Sequence, residues 1–224
     1  MPQGDPLTAI LDRIQSWAQS SKLVVARGSA CGTGASLLGS TPMTWVCEDW
    51  WVPTLTVVGG LPGTGKSTIA HLVAERQAMP FLRVDRIEHA IVAWSSLSHP
   101  VGPAGYAVAH AVALEQLQLG LDVLVECVNP TAVTRDAWVG TASVAGAALL
   151  EVEVTCSDQH EHQRRLATRG TDVEGLVKPT WSAVAAREYE PWSRPRLLVD
   201  TAVTPPDEAA TQIAAAAAAA RRNR

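Results

Sequence analysis

The stretch from Gly59 to Thr68, reading GGLPGTGKST, constrains this chain more than any other. Gly60 to Ser67 matches G-x-x-x-x-G-K-[ST], a spacing whose glycines let successive backbone N–H groups turn into one cradle. Before it, Leu55-Thr56-Val57-Val58 reads as a short buried strand. After it, Thr68 to Glu75 carries Ile69, Leu72 and Val73 at helical spacing. Strand, glycine loop and helix is the context in which the spacing holds a polyphosphate, because the helix N-terminus adds partial positive charge. Gly60, Leu61, Pro62, Gly63, Thr64, Gly65, Lys66, Ser67 and Thr68 are therefore the expected nucleotide-binding residues. Lys66 is placed for the β- and γ-phosphates and Ser67 for Mg²⁺, so ATP with Mg²⁺ is the expected ligand pair.

With 224 residues, the chain has room for one domain plus an appendage. Hydrophobic residues reach 47% and charged residues 18%, enough apolar material for a sizeable core. A net charge of −4 speaks against a protein that tracks nucleic acid. Cys31, Cys47, Cys127 and Cys156 lack C-x-x-C spacing and read as reduced thiols. No basic start leads into an apolar run, and no run approaches the roughly 20 residues of a membrane span. A cytoplasmic location is expected.

Residues 5–19 read as an amphipathic helix striped by Leu7, Ile10, Leu11, Ile14 and Trp17. Arg27 to Ser40 is rich in Gly, Ser, Ala and Thr and reads as a linker. Residues 1–42 are thus expected to be an accessory extension, functional or the product of an over-long start assignment, and 43–224 the main domain. Trp45, Trp50 and Trp51 would anchor the domain edge. Downstream, Phe81–Val84, Asp122–Val128, Leu149–Cys156 and Leu197–Val199 read as strands, the third near a sheet edge or at a water-facing rim because Glu151 and Glu153 alternate with apolar residues. Helices are expected over 86–94, 104–119, 131–139, 158–169, 180–190 and 208–222. Strands alternating with helices predict an α/β fold, a mainly parallel sheet between helical layers with a small lid.

Ligands of such sheets sit beyond the carboxyl ends of the strands. Asp85 follows the second strand there, as the general base for an attacking hydroxyl or as the N-cap of the next helix. Glu126 closes the third strand and is expected to hold Mg²⁺ with Ser67, directly or through water, or to support the site from behind. Asp200-Thr201 closes the last strand. Arg165 and Arg169, four residues apart, share a face of the basic helix, as phosphate clamps in a lid or as a solvated surface. Arg135 is a further cation near a strand end, expected to reach substrate. His160 and His162 have no complementary ligand set for a metal.

G-x-P-G-x-G-K-S-T, Val84-Asp85, Val125-Glu126-Cys127-Val128-Asn129-Pro130 and Glu161-x-x-x-Arg165-x-x-x-Arg169 together resemble the small P-loop kinases of the AAA_33-like group, related to chloramphenicol phosphotransferase and zeta toxins. Gluconate and adenylylsulfate kinases share the plan more distantly. The resemblance covers about residues 53–220. It implies Asp85 as catalytic base and Arg165 and Arg169 as lid residues on the phosphates, with Lys66 also catalytic. An aspartate is frequent where this chain has Glu126. The expected activity is transfer of the γ-phosphoryl group of ATP to a hydroxyl of a small molecule. The alternatives are a nucleotide-binding switch and a nucleic-acid 5′-hydroxyl kinase. The acceptor and the oligomeric state are left open.

Overall fold

A computed structural model describes residues 52–168, 170 and 179–222. The helix expected over 5–19, the linker after it, Trp45, Trp50, Trp51 and Arg169 lie outside the described residues. Strand β1 (Thr54–Gly59) leads into helix α1 (Lys66–Gln77), then β2 (Phe81–Arg83), α2 (Val84–Trp94) and α3 (Ala104–Gln118). Strand β3 (Val123–Glu126), α4 (Ala132–Ala145), β4 (Ala148–Thr155), α5 (Gln159–Thr168), α6 (Trp181–Ala185), β5 (Leu197–Asp200) and α7 (Pro206–Arg222) complete it. The strands form one parallel sheet in the order β2-β3-β1-β4-β5. Among the described residues no helix is long and apolar enough to cross a membrane.

Strand periodicity divides the core. Leu55 and Val57 of β1, with Val123 and Val125 of β3, point to a cluster completed by Leu114, Leu117 and Trp138 of α3 and α4. Val58, Leu124, Val152 and Val154 point the other way, onto Ile69 and Val73 of α1 and Ala209 and Ile213 of α7. Successive strand residues alternate faces, so a sheet covered on both sides needs apolar residues at nearly every position. α7 is mostly alanine, and its small side chains let it pack on α1 and β4. Asp207 and Glu208 open it and Arg221 and Arg222 close it, matching the helix dipole.

Strand β4 corrects an expectation. It lies inside the sheet, with β1 on one side and β5 on the other. Glu151 and Glu153 are buried because arginines follow them in: Arg194 Nε sits 2.6 Å from Glu151, and Arg196 Nε 2.6 Å from Glu153. Burial pushes the Glu151 carboxyl above its ordinary value, while Arg194 draws it back. The helix expected over 180–190 stops at Ala185. Downstream, the carbonyls of Glu190 and Pro191 accept hydrogen bonds from Arg135 instead of closing helical turns. Strand β3 ends at Glu126, earlier than expected, and α4 extends beyond Val139 to Ala145, closed by Gly146 at φ 66.

Between α3 and α4, His110 is fully buried and its ring lies 3.6 Å from that of Trp138, centroid to centroid. Thr141 Oγ1 donates to the Ala137 carbonyl, so His110 Nδ1–H donates to Thr141 Oγ1 at 2.8 Å and Nε2 is left bare. Protonating Nε2 would bury an unpaired cation, and burial accordingly lowers the His110 pKa to about 3. The unfolded chain then binds the proton first. Stability is complete above the ordinary histidine value of about 6.5 and falls as pH drops from there towards 3, by up to about 1.4 kcal/mol per unit. Urea midpoints taken between pH 7 and 4.5 should show this slope, and His110→Phe should remove this residue's share of it. An equal slope in the variant would assign the acid sensitivity elsewhere.

Candidate active site

The phosphate cradle is built where β1 ends. Gly60 N–H donates to the Val128 carbonyl at 3.1 Å, which fixes the loop against the chain leaving β3. Gly60 has φ 146, and a β-carbon there would stand 2.3 Å from the Val154 carbonyl oxygen, so no other residue fits. Thr64 Oγ1 closes the loop on the Leu61 carbonyl at 2.9 Å. Gly65, in the left-handed region, precedes α1 without a capping side chain. The first N–H groups of α1 are therefore left for an anion.

Lys66 and Ser67 open α1 and meet Glu126. Lys66 is 4% exposed, with Nζ 3.4 Å from the Leu61 carbonyl and 4.0 Å from Glu126 Oε1. Ser67 Oγ donates to the same Oε1 at 2.5 Å. Glu126, 3% exposed, also pairs with Arg83 Nε at 3.0 Å. Arg83 is a residue that the sequence reading passed over. The parallel register sets Arg83 beside Glu126 at the ends of β2 and β3, a pairing between separate strands that no local sequence pattern announces.

Asp85 stands one residue further into α2 than the strand-end position implied. Strand β2 ends at Arg83, and Val84 is buried as the first helical residue. The N-cap is Arg83, without a side-chain hydrogen bond, so the capping role considered for Asp85 is not the one it occupies. Asp85 is partly exposed in the first turn. The Cys127 thiol, pushed up to about 12 chiefly by burial, feels Tyr106, Lys66, Asp85 and Glu126. Lys66, Asp85 and Glu126 thus all lie within electrostatic range of that thiol.

On the other flank, α5 is tied to the loop twice. His162 is buried, and its Nε2 donates to the Pro62 carbonyl at 2.8 Å while its ring meets Trp181 edge-on. Arg165 Nε donates to Glu161 Oε1 at 2.7 Å, Nη1 to Thr201 Oγ1 at 2.8 Å and Nη2 to the Thr201 carbonyl at 3.1 Å. Thr201 Oγ1 in turn reaches the Thr64 carbonyl at 2.8 Å. His162 and Thr201 were not among the expected site residues, because bonds across a hundred residues leave no local pattern. Glu161, held by Arg164 and Arg165, titrates near 2.

Two other strand-end groups serve the scaffold. Asp200 Oδ1 accepts from the N–H groups of Ser157 and Ala202, at 2.9 and 3.0 Å, and these bonds lower its pKa. Arg135, expected to reach substrate, is 2% exposed instead. It donates to the carbonyls of Asn129, Pro130, Glu190 and Pro191 and stacks on Trp192 at 4.1 Å. With four of its five N–H groups engaged on backbone carbonyls, Arg135 fastens the 190s segment to the turn after β3.

Beside the helix end lies a cavity of about 440 Å³, walled by Gly65, Thr68, Arg165, Thr201, Val203 and Pro205. Three solved kinases share the fold. An APS kinase of Mycobacterium tuberculosis, in complex with AMPPNP and APS, is 22% identical with a TM-score of 0.57, over 73% of this chain and 96% of that one. A gluconokinase of Sinorhizobium meliloti is 21% identical with a TM-score of 0.53, over 77% and 95%. A sugar kinase of a Janibacter species is 17% identical with a TM-score of 0.52, over 75% and 95%. No curated protein matches the chain in sequence. Residues 55–188 match the family AAA_33, described as an AAA domain, and with more than half of its length so matched the chain belongs to that family.

Proposed function

We propose that this protein moves the γ-phosphoryl group of ATP to a hydroxyl of a small molecule. The observation that carries the reading is the meeting of Lys66 and Ser67 at the buried Glu126 beside the glycine loop, with Asp85 in the first turn of the helix that follows β2. A phosphate-binding cation, a carboxylate able to take a proton and a carboxylate suited to a metal come from three separate segments. The shared fold of three kinases supports it.

The cradle fits a triphosphate, since the first N–H groups of α1 have no capping side chain and, among the described residues, Lys66 meets only the Leu61 carbonyl and Glu126. The cavity beside Gly65 suits the nucleoside, with Val203, 77% exposed, as an apolar wall. Ser67 and Glu126 would hold Mg²⁺, because their touching oxygens are the hard ligands it prefers. When bound, that ion offsets charge on the β- and γ-phosphate oxygens. The acceptor oxygen forms its bond to the γ-phosphorus as the bond to the bridging oxygen of ADP breaks. The acceptor's proton passes to Asp85, and ADP leaves. Lys66 and Arg165 face the charge that develops, Glu161 and Thr201 keeping the guanidinium oriented. Arg169, four residues on in the sequence, would join them.

Incubating the protein with Mg-ATP and a panel of hydroxylated metabolites, with phosphorylated product read by mass spectrometry, tests the reading. Absence of product from a broad panel, with ATP bound, would favour the switch.

Lys66→Ala should abolish turnover and weaken Mg-ATP binding greatly. Unchanged affinity in that variant would overturn the cradle assignment.

Asp85→Asn should keep ATP affinity while transfer falls by about 10²–10⁴-fold, the range for loss of a general base. Full transfer by the variant would remove Asp85 from the chemistry.

A further inference from the structure

Building on the phosphoryl-transfer reading, we propose that the acceptor is an alcohol that also carries a protonated amine, an amino polyol, and that Glu88 receives the amine. Glu88 lies three residues after Asp85 on α2, so the two carboxylates share a helix face. Glu88 is half-buried against the first turn of α3: a β-carbon on Gly105 would fall 2.3 Å from its Cγ and 3.0 Å from Oε1. Gly105 is thus the gap in α3 that admits the acid.

The next residue, Tyr106, is within electrostatic reach of Glu88, and its hydroxyl accepts the Asn129 backbone N–H at 3.2 Å. Asn129 is the second, independent sign of a ligand. It is fully buried between Gly59 and Tyr106, sits at φ 53, and among the described residues neither side-chain amide atom has a hydrogen-bond partner. Buried amides are ordinarily satisfied, so one left with both ends unmet beside the cradle is poised for a hydroxyl, which can donate and accept together.

The charge of this corner selects the class. The groups that face Glu88 are Asp85 on its own helix, Tyr106 on α3 and Arg187 just beyond α6. Burial first, then Asp85, raises the Glu88 pKa to about 7, and exposed Arg187 offsets this only in part. Among the described residues Arg187 is the cation that acts on Glu88, and burial outweighs it. An ammonium on the acceptor would supply a second, with a charge-assisted hydrogen bond. An acidic acceptor would instead meet two carboxylates.

Three open-chain six-carbon probes separate the cases: glucamine, sorbitol and gluconate, which differ in bearing an ammonium, a hydroxyl or a carboxylate at one end. Their binding to protein loaded with Mg²⁺ and AMPPNP is measured by calorimetry at pH 6 and pH 8, for wild type and Glu88→Gln. Glucamine should bind wild type at least about tenfold tighter than sorbitol at pH 8, the effect of one charge-assisted bond. The ratio should shrink at pH 6, where Glu88 takes up its proton while the amine stays charged, and should collapse towards one in Glu88→Gln at both values. The pH arm needs wild type alone, so misfolding of the variant would not spoil the test. Sorbitol or gluconate binding as tightly as glucamine, a preference that survives Glu88→Gln, or no binding of any probe at millimolar concentration would overturn the inference. The expected pattern without transfer from ATP to glucamine would overturn the kinase reading and leave the amine site standing. Transfer to sorbitol or gluconate with glucamine excluded would do the reverse.

Discussion

A carboxylate buried at the end of a central strand must be compensated, and Glu126 is compensated by three groups from the two neighbouring strand ends. Ser67 and Lys66 come from the helix that follows β1, and Arg83 from the end of β2. Bringing charges out of water is costly, and removing one partner leaves the others exposed to that cost. The parallel register is what makes the arrangement possible, since Val58 and Arg83 both stand beside Glu126. The same ion pairs that hold the strand ends together therefore position the lysine and serine of the cradle. Stability and site geometry are one network here.

The far side of the sheet uses charge for attachment. Glu151 and Glu153 lie where an apolar side chain would be ordinary, and Arg194 and Arg196 neutralise them. Arg135 captures four backbone carbonyls of the β3–α4 turn and the 190s segment, and its guanidinium lies flat on Trp192. Irregular backbone brought against a core needs donors for its carbonyls, and a planar guanidinium with five N–H groups is the side chain that can serve several at once. The stretch from Glu190 to Arg196 is thereby held to the domain with little regular secondary structure of its own.

Helix α5 is coupled to the cradle through His162 and Thr201. His162 holds the Pro62 carbonyl, and Thr201 bridges the Thr64 carbonyl and Arg165. Any shift of the loop on taking up phosphate would be felt by α5 directly at the His162–Pro62 bond and through Thr201, which links Thr64 to Arg165. Opposite α5, Asp85, Glu88, Tyr106 and Asn129 form a corner of different chemistry, acidic and partly unsatisfied. The cradle thus separates a cationic flank, matched to phosphate, from an acidic one.

Sequence alone determined the α/β class, the strand–loop–helix at Gly60 to Ser67 and the placing of Glu126 at a strand end. These rest on local spacing: a run of apolar residues, a glycine pattern, a period of 3.6. Tertiary structure decided which charges meet. The acidic alternation of β4 pointed to a sheet edge, yet β5 pairs outside it and distant arginines bury the acids. Arg135 had the composition of a ligand-binding cation and became a fastener because carbonyls some 55 residues away fill its donors. Asp85 read as a general base at a strand end or as a helix cap, but the helix starts one residue earlier and places it in the first turn, within electrostatic range of Cys127 and Glu88. Pairings between distant segments depend on how helices and strands pack, and periodicity along the chain carries no record of that.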